Sequence, residues 1–195
     1  MGTFQHTQAF PTLISVFDLS EYDREEKGRL MDMINTTDKG WHYLLDNEKG
    51  PSSTSASRNF LDQYSLIKLK SKIQECINIY CDESGMADLD ITTSWFNVIG
   101  AGGKLRSHRH ELSVVSGTYY PYCEDNSAFL NFETPLSIYK MNELANRQTA
   151  YNTDTMSYPV RTDLLVLFPS WLYHYVDTNN TNERISLAFN TELKK

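Results

Sequence analysis

Apolar and polar residues change their rhythm part-way along this chain. "TLISVFDLS" (12–20) is apolar and β-branched at its centre and predicts a short strand. Ser20 then stands where a cap belongs for a helix over "EYDREEKGRLMDMINTT", with acidic residues in the first turn and Leu30, Met31 and Ile34 on one face. "TTDKGWHYLLDNEKGPSSTSASRNF" predicts a long loop around an apolar knot at Trp41, Tyr43 and Leu44. A second helix is predicted from about Asn59 to Asp82, where Leu61, Tyr64, Leu66, Ile67, Leu69, Ile73, Cys76, Ile77 and Tyr80 recur at helical spacing, with Gly85 as its stop.

From residue 89 onward the pattern is short and β-rich. "DLDITTSWFNVIG", "KLRSHRHELSVVSGTYYPY", "AFLNFE", "LSIYK", "DLLVLFPSWLYHYVDT" and "RISLAFNTEL" are separated by Gly, Asn, Asp and Pro. No helical pattern alternates with them, so a sandwich or closed barrel is expected and not a parallel sheet. "KMNELANRQTAYNTDTMSYPV" is expected to be a connection. The expectation is one domain over 1–195, with a helical layer over about 1–88 backing a β core over about 89–195.

Composition narrows the function. No window approaches the ~18 uninterrupted apolar residues of a membrane span, so no membrane partner is expected. The N-terminus lacks the charged-then-apolar order of a secretory signal, and His6 breaks the myristoylation pattern; a cytoplasmic location is expected. A net charge of −7 argues against duplex nucleic acid as a partner. Cys76, Cys81 and Cys123 complete neither a disulfide framework nor a zinc spacing and read as plain thiols.

Two of the five histidines, His108 and His110, lie one residue apart ahead of a β-rich run. In a strand such neighbours share a face, so both could line an interior and bind a divalent metal; a hydrogen-bonded surface pair is the plainer alternative. His174 follows a strongly apolar run and a Pro-Ser-Trp turn, and Arg184 comes ten residues later. Arg184, Ser186, Ala188 and Asn190 alternate with Ile185, Leu187 and Phe189, giving the last strand one polar, small face and one bulky, apolar face. A buried Arg184 needs an anion; a ligand carboxylate is one candidate and a surface acid the other.

"HRHELSVVSGTYY", "FLNFETP" and "LLVLFPSWLYHYVDTNNTNERISLAFN" resemble a subgroup of small 2-oxoglutarate/Fe(II)-dependent oxygenases of bacteria and their phages, over about residues 93 to 193. The resemblance implies a double-stranded β-helix (jelly roll) backed by the N-terminal helices, with Fe(II) and 2-oxoglutarate as cofactor and co-substrate. It implies His108 and His174 as iron ligands. The usual carboxylate position falls on His110, so a three-histidine site is expected; Glu111, one residue on, points to the opposite face unless a bulge intervenes. It further implies that Arg184 and Ser186 hold the distal carboxylate of 2-oxoglutarate, helped by Tyr120, or by Tyr119 if a bulge at Gly117 exchanges the two, with Trp95 and Asn97 lining the same cavity. The implied reaction is hydroxylation of a second substrate, a small molecule or a protein side chain, with release of succinate and carbon dioxide. For a phage-encoded chain the implied location is the host cytoplasm.

Two rival readings are a three-histidine cupin-type dioxygenase without 2-oxoglutarate and a non-catalytic jelly-roll binding module. The loop 37–58 and the region 140–160 are candidates to shape the substrate mouth. Exposed edge strands of such a fold can pair two copies into a homodimer.

Overall fold

Asp23, not Ser20, starts the first helix: its side chain accepts the Glu26 N–H at 2.9 Å, while the Ser20 N–H is taken by Asp18. Helix α1 accordingly spans Arg24–Thr36. The computed structural model describes residues 10–46, 52–63, 65–136 and 146–194.

Glu26 is buried against the second helical segment, where its carboxylate accepts the N–H groups of Lys68 and Leu69 (3.2 and 2.7 Å) and the Tyr22 hydroxyl. One helix thus caps the next. This matters because the predicted helix over 59–82 is two helices, α2 (Phe60–Gln63) and α3 (Ile67–Ser84), and α3 has no side-chain cap of its own at Leu66. Ser65 between them has a left-handed φ of 53°, which ends the first helix. Tyr64, expected on the helix face, lies outside the described residues. Gly85 stops α3 in the left-handed conformation, as its position predicts.

Among the described residues, twelve strands form two sheets. A seven-stranded antiparallel sheet has the order β1 (Ser15–Asp18), β10 (Leu164–Pro169), β7 (Val115–Cys123), β12 (Arg184–Leu193), β5 (Leu89–Ile99), β4 (Ser52–Ser55), β2 (Lys39–Gly40). A five-stranded antiparallel sheet has the order β3 (Leu45–Asp46), β6 (Lys104–His108), β11 (His174–Val176), β8 (Leu130–Glu133), β9 (Thr155–Tyr158). The two sheets form a jelly roll, mainly β with α.

Strand alternation sorts the two faces of the large sheet. Ile185, Leu187 and Phe189 join Val115, Tyr119, Leu165 and Leu167 in one apolar cluster with Leu30, Ile34, Leu69, Ile73 and Ile77 of the helices. Tyr120, Val166 and Phe168 point the other way, into a second cluster with Leu130 and Phe132 of the small sheet. The helices therefore back the large sheet, and the small sheet covers its opposite face.

Three expectations change. The loop 37–58 contributes the short strands β2, β3 and β4, so much of it is fastened to the sheets. The 140–160 segment carries β9, an edge strand too short and polar to show period-two alternation. Residues 137–140 of "LSIYK" lie outside the described residues. A bulge does occur in β7, but not at Gly117. Tyr120 and Pro121 together oppose Ser186, where Pro121 has no N–H to offer the ladder.

Gly117 sits in regular pairing for a packing reason. A Cβ there would approach the Phe189 ring to 2.3 Å and Leu167 Cδ2 to 2.6 Å. Gly117→Ala is expected to lower the unfolding free energy by about 1–3 kcal/mol in urea denaturation, from overpacking. An unchanged midpoint would show that the helix-facing core yields at this point.

Candidate functional site

His108 is the last residue of β6 and lies directly opposite His174, the first of β11, in antiparallel register. The one-residue spacing predicts His110 on the same strand, but β6 ends at His108. The chain leaves the ladder after His108, and the His110 N–H donates to the Ser170 carbonyl at 2.9 Å. The turn still brings its ring alongside: centroids lie 5.2 Å apart for His108–His110, 5.0 Å for His110–His174 and 4.3 Å for His108–His174. One ring nitrogen from each of the three lies within 4.8 Å of the others.

The Nδ1 nitrogens are occupied. His108 Nδ1 lies 2.8 Å from the Arg106 carbonyl oxygen, His174 Nδ1 lies 3.0 Å from that of Leu172, and His110 Nδ1 lies 2.6 Å from Asn190 Oδ1. A carbonyl oxygen can only accept, so each Nδ1 carries the proton and each Nε2 keeps its lone pair. Such outer hydrogen bonds fix the tautomer and orientation of metal-binding imidazoles. Asn190 also accepts from Ser116, whose hydroxyl is 2.7 Å from that of Ser170. These polar groups lie beyond the predicted set, although Asn190 completes the polar alternation of β12.

Burial keeps the imidazoles neutral. His174 is held well below its ordinary range by burial and then by His108 and His110; Phe168 is 4.6 Å away, centroid to centroid. Burial also depresses His108, and it pushes His110 down to about 4 with help from His108. Glu111 does not take part. Its carboxylate is exposed and paired with Arg109 at 3.1 Å.

A cavity of about 240 Å³ joins the histidines to Arg184. Arg184 is 1% exposed, donates to the Ala128 carbonyl and the Tyr120 hydroxyl (both 3.1 Å), and has no carboxylate partner among the described residues. Ser186, Asn97 and Trp95 line the same cavity, as does Thr118, which the sequence did not single out. Tyr119 faces the helices instead, its hydroxyl 3.0 Å from Asp163, because the bulge begins only after Tyr119. From the loop 37–58, His42, Tyr43, Leu44, Leu45, Thr54 and Arg58 reach the cavity wall. Residues 146–160 do not contribute to that wall; 140–145 lie outside the described residues.

The donor set fits a divalent transition metal, and the unpaired buried guanidinium fits an anion. A family profile described as "Putative 2OG-Fe(II) oxygenase" matches residues 93–190, half of the chain. The protein belongs to that family. As a 2OG-Fe(II) oxygenase it is an oxidoreductase whose family depends on iron(II) and 2-oxoglutarate.

Solved structures share the fold. An oxidoreductase of the 2OG-Fe(II) oxygenase family from Burkholderia pseudomallei has a TM-score of 0.64 at 10% identity, over 92% of this chain and 85% of that one. A Pseudomonas putida prolyl-4-hydroxylase has 0.60 at 14% identity, over 94% of each. HygX from Streptomyces hygroscopicus, with nickel and 2-oxoglutarate bound, has 0.59 at 10% identity, over 94% and 84%. No curated protein matches the chain in sequence. Among the described residues no helix is long and apolar enough to cross a membrane.

The depressed imidazoles make the metal-free oxygenase acid-sensitive. Between the ordinary histidine value of 6.5 and about 4, the unfolded chain binds a proton that folded His110 does not. Its stabilising contribution is thus complete above the upper value and is lost as pH falls towards the lower. Urea unfolding of metal-free protein at pH 7 and pH 5 should show a loss that is smaller in His110→Asn; equal losses would remove His110 as a source.

Proposed function

We propose that this oxygenase hydroxylates a second substrate while converting 2-oxoglutarate to succinate and carbon dioxide. His108, His110 and His174 would hold iron(II) through their Nε2 atoms. Arg184 would bind the distal carboxylate of 2-oxoglutarate, with the Tyr120 hydroxyl beside it and Ser186 and Asn97 completing the polar wall. When bound, iron and 2-oxoglutarate together supply the oxidising chemistry.

The protein's own part is positioning. The three Nδ1–H donors aim the imidazoles before any metal arrives, so little reorganisation is needed on binding. The Arg184 guanidinium is held by the Ala128 carbonyl and the Tyr120 hydroxyl, with its carbon 4.9 Å from the Tyr120 ring centre, which leaves the rest of its fork to a ligand. Cys123, beside Arg184, is pushed up to about 11 by burial and stays a neutral thiol, so it does not compete for the guanidinium.

The observation that carries this reading is the buried guanidinium without a carboxylate, in one cavity with three inward imidazoles. It also favours a 2-oxoglutarate enzyme over a cupin-type dioxygenase, in which Arg184 would have no anion to meet. A non-catalytic module would have no use for three pre-aimed lone pairs. The primary substrate is taken to be a small molecule or side chain, and loop 37–58 to shape its entrance.

Anaerobic titration of iron(II) and 2-oxoglutarate, read by the visible charge-transfer band of the chelate, tests the assignment. Wild type and Glu111→Ala should give the band. His110→Ala should weaken it, and Arg184→Ala should raise the 2-oxoglutarate concentration needed by about 30-fold or more. A band indifferent to His110 but lost in Glu111→Ala would transfer the third ligand to the carboxylate. Iron binding with no band in wild type would favour the cupin-type enzyme.

A further inference from the structure

Among the described residues the cavity wall contains Arg58, Arg109 and Arg184 but no Asp or Glu, in a chain with 25 acidic and 18 basic residues. Arg109 is paired with Glu111 and lies over the Tyr173 ring. Arg184 is the buried cation already described. Arg58 has a different setting: its guanidinium carbon lies 5.3 Å from the centre of the Trp95 ring, and no carboxylate among the described residues pairs with it.

The placement of Arg58 is built into the sheet. Its carbonyl accepts the Ser94 N–H at 2.8 Å, and Asn59 forms a parallel bridge with Ser94, so the backbone is docked on β5 beside Trp95. Along the β5–β12 pair, Ile99 lies opposite Arg184, Asn97 opposite Ser186 and Trp95 opposite Ala188. Trp95 is therefore four residues from the Arg184 row, about 13 Å at the usual strand rise. That exceeds the length of a five-carbon diacid. The Trp95 ring lies 5.5 Å from that of His110, so the indole beneath this second cation stands beside the histidines, four residues along the strand from the Arg184 row.

We propose that Arg58 and Trp95 form the recognition site for the primary substrate, and that this substrate is an organic anion with a carboxylate and an apolar body. The guanidinium fork would take the carboxylate in bidentate fashion while its flat face rests on the indole. Tyr43 and Leu44, on the cavity wall, supply apolar surface for the body. A cationic substrate would meet unpaired positive charge and no acid among the described residues of the wall. A phosphate dianion would find one unpaired guanidinium here where it calls for more. The word substrate rests on the oxygenase reading; the preference for charge does not.

Calorimetric titration tests it on the anaerobic holoprotein with iron(II) and saturating 2-oxoglutarate, so that Arg184 is occupied. The probes are 3-phenylpropionate, 3-phenylpropionamide and 3-phenylpropylamine, equal in shape and different in charge. The acid should bind about tenfold more tightly than the amide, and the amine most weakly. Arg58→Gln should bring the acid to the level of the amide while the chelate band stays as in wild type. Trp95→Leu should weaken acid and amide together. An acid that does not bind, that binds no better than the amide, or that keeps its advantage in Arg58→Gln would overturn the proposal. If no chelate band forms, the oxygenase reading fails by itself, and the same series on metal-free Arg184→Gln protein decides the role of Arg58.

Discussion

Antiparallel pairing of β12 between β5 and β7 is the constraint from which the site follows. Because successive side chains of a strand take opposite faces, one ten-residue segment serves two environments at once. Ile185, Leu187 and Phe189 tie the sheet to the helices, while Arg184, Ser186 and Ala188 form one wall of the cavity and Asn190 holds His110. A shift of a single residue would bury the guanidinium among leucines and turn the phenylalanine on the histidines. The Phe189 ring packed over Gly117 and the bulge at Tyr120 and Pro121 both oppose such a shift.

Desolvation then gives the groups their chemical character. The same dry walls that keep His174 uncharged make an unpaired guanidinium expensive, and the two costs act in opposite directions. An imidazole can shed its proton, so burial resolves it into a neutral ligand. A guanidinium cannot, so its charge persists and must be met by oriented dipoles until an anion arrives. The Ala128 carbonyl and the Tyr120 hydroxyl provide those dipoles.

Much of this was legible in the chain. Period-two alternation over 184–190 predicted both faces of β12, and helical spacing over 61–80 found the helical layer. The family resemblance placed His108, His174 and Arg184 in one site, and the structure brings them to one cavity. What could not be read depends on contacts distant in sequence. Asp23 displaces Ser20 as helix cap, and Glu26 finishes a helix that begins forty-one residues later, at Ile67. His110 was expected on a strand and arrives by a turn instead, fastened through Ser170 and Asn190, neither of which any local pattern connects to it. Tyr119 and Tyr120 were separable only once the exact position of the bulge was known.

Three uncharged ligands have a thermodynamic consequence. With a carboxylate among its ligands, a divalent ion would already be partly neutralised; with three imidazoles it keeps both positive charges in a poorly hydrated pocket. On the proposed assignment, the dianionic co-substrate is then the ion's main counter-charge as well as its reaction partner. Retention of metal and affinity for co-substrate become two measures of one coupling free energy, each raising the other by the same factor. Iron would be held loosely when 2-oxoglutarate is scarce and firmly when it is plentiful, so that metal occupancy would track the supply of a central metabolite.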